Sequence, residues 1–397
     1  MNTTIYNEEL ADEGIGAGVL TEDDLEELSP KEPFDPEKIS ISSKVIALDT
    51  VLRRIKNRTI RLSPDFQRGF VWDKKRKSQL IESMILKIPL PMFYVAEDSS
   101  GVWEVVDGLQ RLSTIRDYII GPDEDGKGDK LQGLEFLGND LDGKTFFALE
   151  KADNGARIVN NIMESELSFT IINPDTPEKV KRNIFKRINT GGMRLSDQEI
   201  RHALYQGQST KLLNRLVKSE SYIKGTQNTV NDARMAGREL VLRFLAFSIL
   251  GRKHFTSSMD TFLSDTMIII NDGTHKSYQD VTFDIDHITR KFDLGITRAL
   301  LLFERHAFRN STESDKKKAP INKSLFEVWI NLLSNLDDNT FRKLLFSKKQ
   351  FMEEYRSLLI NQDFSDSISR RGGSQSGSID RHKKLDALVN RFIEARE

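Results

Sequence analysis

The densest chemistry in the chain lies at Val106-Asp107-Gly108-Leu109-Gln110-Arg111-Leu112-Ser113-Thr114. An apolar strand, Trp103 to Val106, runs into Asp107-Gly108, and a helix is predicted to begin at once. A helix start carries amides without intrahelical partners and a partial positive charge, so it can seat an anion. Gly108 allows a tight turn and close approach of backbone to ligand. Arg111 falls in the first turn, where its planar fork suits phosphate oxygens. Ser113 and Thr114 add hydroxyls. Asp107 could hold Arg111, cap the helix or take part in binding a metal ion. Spacing alone also allows a plain helix cap beside a surface charge. The glycine-rich loop and lysine of common NTPases are absent.

Two more segments concentrate polar groups. Leu62 to Lys77 holds Phe66, Phe70 and Trp72 as anchors, Gln67 to read a base or sugar edge, and Arg68 as a second phosphate donor. An anchored loop with incidental charges reads equally well, and Lys74-Lys75-Arg76-Lys77 reads as a solvated helix face. Further on, Phe185-Lys186-Arg187-Ile188-Asn189-Thr190-Gly191-Gly192 ends one helix before another. The glycines suit a left-handed cap. A simple helix–turn–helix connection explains them but not the gathering of Lys186, Arg187, Asn189 and Thr190.

The elements that must position these groups follow from periodicity. Lys44 to Lys56 is predicted helical, Thr59 to Leu62 a short strand, and Lys74 to Lys87 a helix capped by Asp73. Met92–Glu97 and Val102–Val106 form a hairpin pattern, and Leu109–Ile119 is helical. Residues 131–165 are mixed. Glu166–Ile172 alternates as a strand, and Thr176-Pro177-Glu178 starts a helix to Ile188. Ser196 is placed to cap the next, with Glu199 at the capping-box position. From about 230 the pattern is helical: Arg238–Leu250, Asp260–Ile270, Ile288–His306, Lys323–Leu336 and Phe341–Leu359. Gly372 to Ser378 reads as a mobile loop, followed by a helix from Arg381 to Ala395. The expected architecture is α+β, an N-terminal domain at 41–225 and a mostly α-helical C-terminal domain at 226–397.

The chain has no cysteine, which excludes disulfides, thiolate catalysis, cysteine-ligated zinc and iron–sulfur clusters. No run of about 18 apolar residues occurs and the N-terminus has no secretory pattern, so a cytoplasmic protein with no membrane contact is expected. The net charge of −1 conceals an asymmetry. Residues 1–40 hold twelve acidic and two basic side chains, and the rest is net +9. The arm reads as a disordered solubilising tail, or as one that competes with an anionic ligand for the basic body.

Together the three segments resemble the ParB/sulfiredoxin-like N-terminal domain family of GmrSD-type restriction enzymes and SspE-type phage-defence proteins. Pro64-Asp65-Phe66-Gln67-Arg68 with Val71-Trp72, Ile88-Pro89-Leu90-Pro91, Val106 to Thr114, and Phe185 to Gly192 with Leu195-Ser196 and Glu199-Ile200-Arg201 carry the likeness over about 40–210. The resemblance implies binding, and hydrolysis, of a nucleoside triphosphate with Mg²⁺, coupled to defence against foreign DNA. Carried over by position, Asp107, Gly108, Gln110 and Arg111 form the phosphate site, and Gln67, Arg68 and Asn189 line it, with Thr190 and the Ser113 and Thr114 hydroxyls close by. Asp107 is the metal candidate, and Asp107, Arg111 and Arg68 are the catalytic candidates. Leu109 departs from the family's usual glutamine. His202, His254, His275, His287, His306 and His382 are scattered, with no His–Asn–His nuclease pattern. A stand-alone sensor or regulator is therefore expected, acting on DNA with a nuclease partner or a second copy. A metal-dependent nuclease using Asp65, Asp73 and Asp107, or a non-enzymatic DNA-binding module, are the alternatives.

Overall fold

A computed structural model describes residues 40–62, 72–122, 128–152, 154–188, 196–315 and 317–394. The acidic arm up to residue 39, Gln67 and Arg68, and Asn189 and Thr190 lie outside the described residues. The chain forms two compact units. One carries the sheet and includes Glu199–Leu204; the other is built from Tyr205 onward, with Ser196–Gln198 joined to it.

The first unit is α+β. Its sheet holds β1 (Ile41–Ala47), β2 (Ile60–Arg61), β3 (Phe93–Glu97), β4 (Trp103–Asp107) and β5 (Glu166–Ile172), in the order β1-β5-β3-β4-β2. β3 and β4 are the expected antiparallel hairpin, β5 lies parallel to β3, and β1 runs antiparallel to β5. Leu167, Phe169 and Ile171 alternate onto one buried face, as a two-residue period requires. There Phe169 stacks on Phe93 with centroids 5.2 Å apart and meets Trp103 at 5.5 Å. The outer side of Trp103 is covered by the Arg54 guanidinium, 3.7 Å from the ring centre. Helices α1 (Leu48–Lys56), α2 (Lys74–Ile85) and α3 (Leu109–Ile119) bury their apolar stripes in this unit.

The helix expected from Lys44 begins only at Leu48. Residues 44–47 belong to β1 instead, in continuous register from Ile41↔Ile172 to Ala47↔Glu166. Val45 fits the helical spacing, but it and Ile46 are β-branched, and pairing with β5 offers them a ladder that a helix turn does not. Asp73 does cap α2, its Oδ1 accepting the Arg76 amide at 2.7 Å. Within the mixed stretch, the buried Glu82 of α2 accepts the amides of Glu135, Phe136 and Leu137 at 2.9, 2.7 and 2.7 Å. One carboxylate thus ties an otherwise irregular segment to the helix.

The second unit is helical. Ile285–Phe303, Lys323–Asn335 and Ala236–Ile249 pack around Phe244, Phe292, Phe303 and Trp329. The expected helix over Phe341–Leu359 is broken at Ser347 into Asp338–Phe346 and Lys348–Leu359. The last helix starts at Gln375, six residues before its expected start, so most of the Gly/Ser-rich stretch is not a loop. Gly377 explains its composition: a Cβ there would lie 2.0 Å from the Arg371 carbonyl oxygen, so glycine permits the close approach. Glu327 and Arg381, both fully buried, form an ion pair that joins two helices of this unit, and Arg243 adds a second cation to Glu327 at 3.4 Å.

Candidate anion-binding turn and its comparisons

β4 delivers Asp107 to the end of the sheet, and the chain reverses into α3 through one residue. Gly108 has φ +94° and ψ 7°, a left-handed conformation disfavoured for other residues. A Cβ at this position would sit 2.3 Å from Phe93 Cδ1 and 3.2 Å from Arg111 Nη2. Glycine is therefore required by conformation and by space. α3 begins without a side-chain cap and without an acidic residue in its first turn. Its ladder opens with the Leu112 amide on the Gly108 carbonyl at 2.9 Å, so the amides before it lie outside the helix's own bonding.

Arg111 points back along this turn. Its Nη2 donates to Asp107 Oδ2 at 2.8 Å and to the Met92 carbonyl at 3.1 Å, and its Nη1 donates to the Pro91 carbonyl. The guanidinium lies 4.4 Å from the centre of the Phe93 ring. Burial lowers its pKa while Asp107 favours its charge. The side chain is 12% exposed, and Asp107 is 43% exposed. Arg111 is thus a clamp that fixes the segment leading into β3 and presents Asp107 at the mouth of the turn. Of the three roles open to Asp107 in the sequence, the structure realises the hold on Arg111, and Asp107 does not cap α3. The acceptors on Pro91 and Met92 are main-chain atoms.

The other sequence candidates separate. Gln110 Oε1 accepts the Trp72 amide at 3.3 Å, which ties the end of the Leu62–Lys77 segment to α3. Arg76 covers the Trp72 ring at 4.6 Å. Ser113 is half-buried, whereas Thr114 is buried and lines a cavity with Lys74 and Lys77 of α2. Gln67, Arg68, Asn189 and Thr190 fall outside the described residues, as does Asp65. Asp73 is occupied as the cap of α2. Among the described residues no group of three or more His, Asp or Glu side chains could hold a metal ion. His202, His306 and His382 are buried in packing positions, and burial with Arg381 and Arg252 pushes His382 down to about 3.

The strand, the single-glycine turn and the arginine-bearing helix coincide with a known domain. Residues 48–206 match the family described as GmrSD restriction endonuclease, N-terminal domain. The sheet-bearing part of the chain is a GmrSD-type N-terminal domain. The match begins with the first residue of α1 and spans α2, the β3–β4 hairpin, the Gly108 turn and β5. No curated protein and no solved structure matches the chain. No helix among the described residues is long and apolar enough to cross a membrane.

Proposed function

We propose that the GmrSD-type domain binds a nucleoside triphosphate at the α3 turn and hydrolyses it, serving as sensor or regulator in a restriction or anti-phage defence system. The observation that carries this reading is the uncapped start of α3 behind Gly108, with a half-exposed Asp107 at its mouth. Helix-start amides and the helix dipole favour phosphate oxygens, and Gly108 has no side chain to cap them. The family's description as part of a restriction endonuclease supports the defence role and DNA as the partner.

Phosphoryl transfer needs placement and charge more than covalent chemistry. The α3 amides would hold the phosphates. Arg111 sets the position of Asp107 and contributes positive charge under the turn. Asp107 has one oxygen on Arg111, which leaves the other to face the ligand. A lone carboxylate suits Mg²⁺ that arrives with the phosphates, since that ion keeps most of its water and needs only one or two protein oxygens. When bound, Mg²⁺ would neutralise charge on the phosphates. Its only described protein ligand would be Asp107. The family resemblance assigns Gln67 and Arg68, which lie outside the described residues, to the same site.

The test is phosphate release and nucleotide binding across ATP, GTP, CTP and UTP, with and without DNA, in a cytoplasmic-type buffer containing Mg²⁺. Wild type should hydrolyse at least one nucleotide, and Arg111→Ala should not. Equal rates would remove the assignment. A partner nuclease, or a second copy of the chain, would then carry the signal to DNA.

A further inference from the structure

α2 opens with Lys74-Lys75-Arg76-Lys77, and its first turn contains no acidic residue. The positive end of a helix dipole is the least favourable place for cations, which are ordinarily found at the other end. The capping carboxylate of Asp73 meets this helix start, but one anion offsets only part of four successive cations. Among the described residues none of the four is in an ion pair, and Lys74, Lys75 and Arg76 are exposed. Their one aromatic contact, Arg76 over Trp72, keeps the guanidinium extended on the surface.

A second observation lies directly beside this turn. Lys74 and Lys77 line a cavity between α2 and α3 together with Thr114, Tyr118, Lys130, Asp117 and Asp129. Asp117 is already paired with Arg116 at 2.5 Å. Thr114 and Tyr118 are each 3% exposed, and neither hydroxyl has a hydrogen-bond partner. A buried hydroxyl left unpaired costs stability, so two on one cavity wall call for a ligand that satisfies them. The cavity has room of about 20 Å³, enough for a water molecule or one phosphate oxygen and too little for a base.

We propose that the first turn of α2, with the Thr114–Tyr118 cavity beside it, is a binding site for the phosphodiester backbone of DNA. The exposed lysines and Arg76 neutralise successive phosphates across the surface. A hydroxyl turned toward the cavity donates through one water to the phosphate oxygen at the cavity mouth. The basic residues of this site belong to α2 and not to the α3 turn, and Thr114 of α3 is shared with the nucleotide reading. Phosphate on a free nucleotide shares the same chemistry, so the experiment must distinguish the two sources.

The experiment measures binding of a fluorescein-labelled duplex to the full chain by anisotropy over a salt series, alongside NTP binding. Replacing Lys74, Lys75, Arg76 and Lys77 together by alanine should weaken duplex binding by about tenfold or more at 0.1 M salt. It should also flatten the log–log salt slope by roughly 3 to 4, about one for each phosphate that is no longer neutralised. Nucleotide binding should change less than about twofold, a margin well inside one factor of ten. Thr114→Val with Tyr118→Phe should weaken duplex binding while keeping the melting temperature equal or higher, because both replacements remove unpaired hydroxyls. Unchanged duplex affinity and salt slope in the fourfold variant would overturn the proposal. So would a loss confined to nucleotide binding, which would assign the phosphates to NTP, or unchanged duplex affinity in the hydroxyl variant.

Discussion

Arg111 Nη2 and Asp107 Oδ2 meet at 2.8 Å across one turn, although Asp107 ends a strand and Arg111 belongs to the helix that follows. The bond closes the Gly108 reversal like a clasp. The same guanidinium also holds the Pro91 and Met92 carbonyls. Removing it should therefore affect both the turn and the entry to β3. Arg111→Ala should lower stability by about 1–3 kcal/mol, the scale for leaving such acceptors unpaired, and abolish phosphate release. Arg111→Lys keeps the charge but not the planar fork, so it should recover part of the stability and little activity. Urea unfolding and phosphate release, measured on the same preparations, separate the two effects.

Gly108→Ala should be among the most damaging single-atom additions in the domain. The new Cβ would lie 2.3 Å from Phe93 Cδ1 at φ +94°. Left-handed strain and overpacking together predict a loss of about 2–4 kcal/mol. Gly143→Ala is the matched control, because Gly143 has φ +81° with nothing within 4 Å of the added carbon. The difference between their unfolding midpoints isolates the contact with Phe93. Equal losses would mean that the backbone conformation, and not Phe93, dictates the glycine.

Glu82 gives the first unit an acid-sensitive tie. Burial alone would raise its pKa, but the amides of Glu135, Leu137 and Phe136 outweigh burial and hold the carboxyl below its ordinary range. A depressed folded pKa means that the unfolded chain takes up this proton first as pH falls. The contribution is complete above the ordinary glutamate value of about 4.3 and disappears as pH drops through the folded value. Glu82→Gln should cost roughly 1.5–3 kcal/mol at neutral pH and weaken the pH dependence below about 4.3. Thermal melts of both proteins from pH 7 to pH 3 provide the measurement.

Glu327→Gln should destabilise the helical unit by about 3–5 kcal/mol, because Arg381 would remain fully buried with its charge uncompensated. The double replacement Glu327→Met with Arg381→Met should recover most of that loss. Calorimetry on the full chain would register the change. A double variant as unstable as the single one would mean that shape at this site matters more than charge.

Sequence periodicity alone located α3 and β5 to the residue, and it located the β3–β4 hairpin within one residue at each end. These are elements whose partners lie close in the chain or whose alternation is strict. It also placed a sharp turn at Gly108, because strand, glycine and helix are consecutive and their geometry is local. The tertiary structure decided what depends on distant neighbours. Pairing with β5, more than a hundred residues away, made Lys44 to Ala47 a strand. The close approach of Gly377 to Arg371 turned a glycine-rich stretch into a helix start. Phe93 and two backbone carbonyls added to the Asp107 hold that the sequence allowed and made Arg111 a clamp on the entry to β3. Main-chain acceptors leave no mark on residue identity, so that role became legible only when the fold brought Pro91 and Met92 to the side of α3.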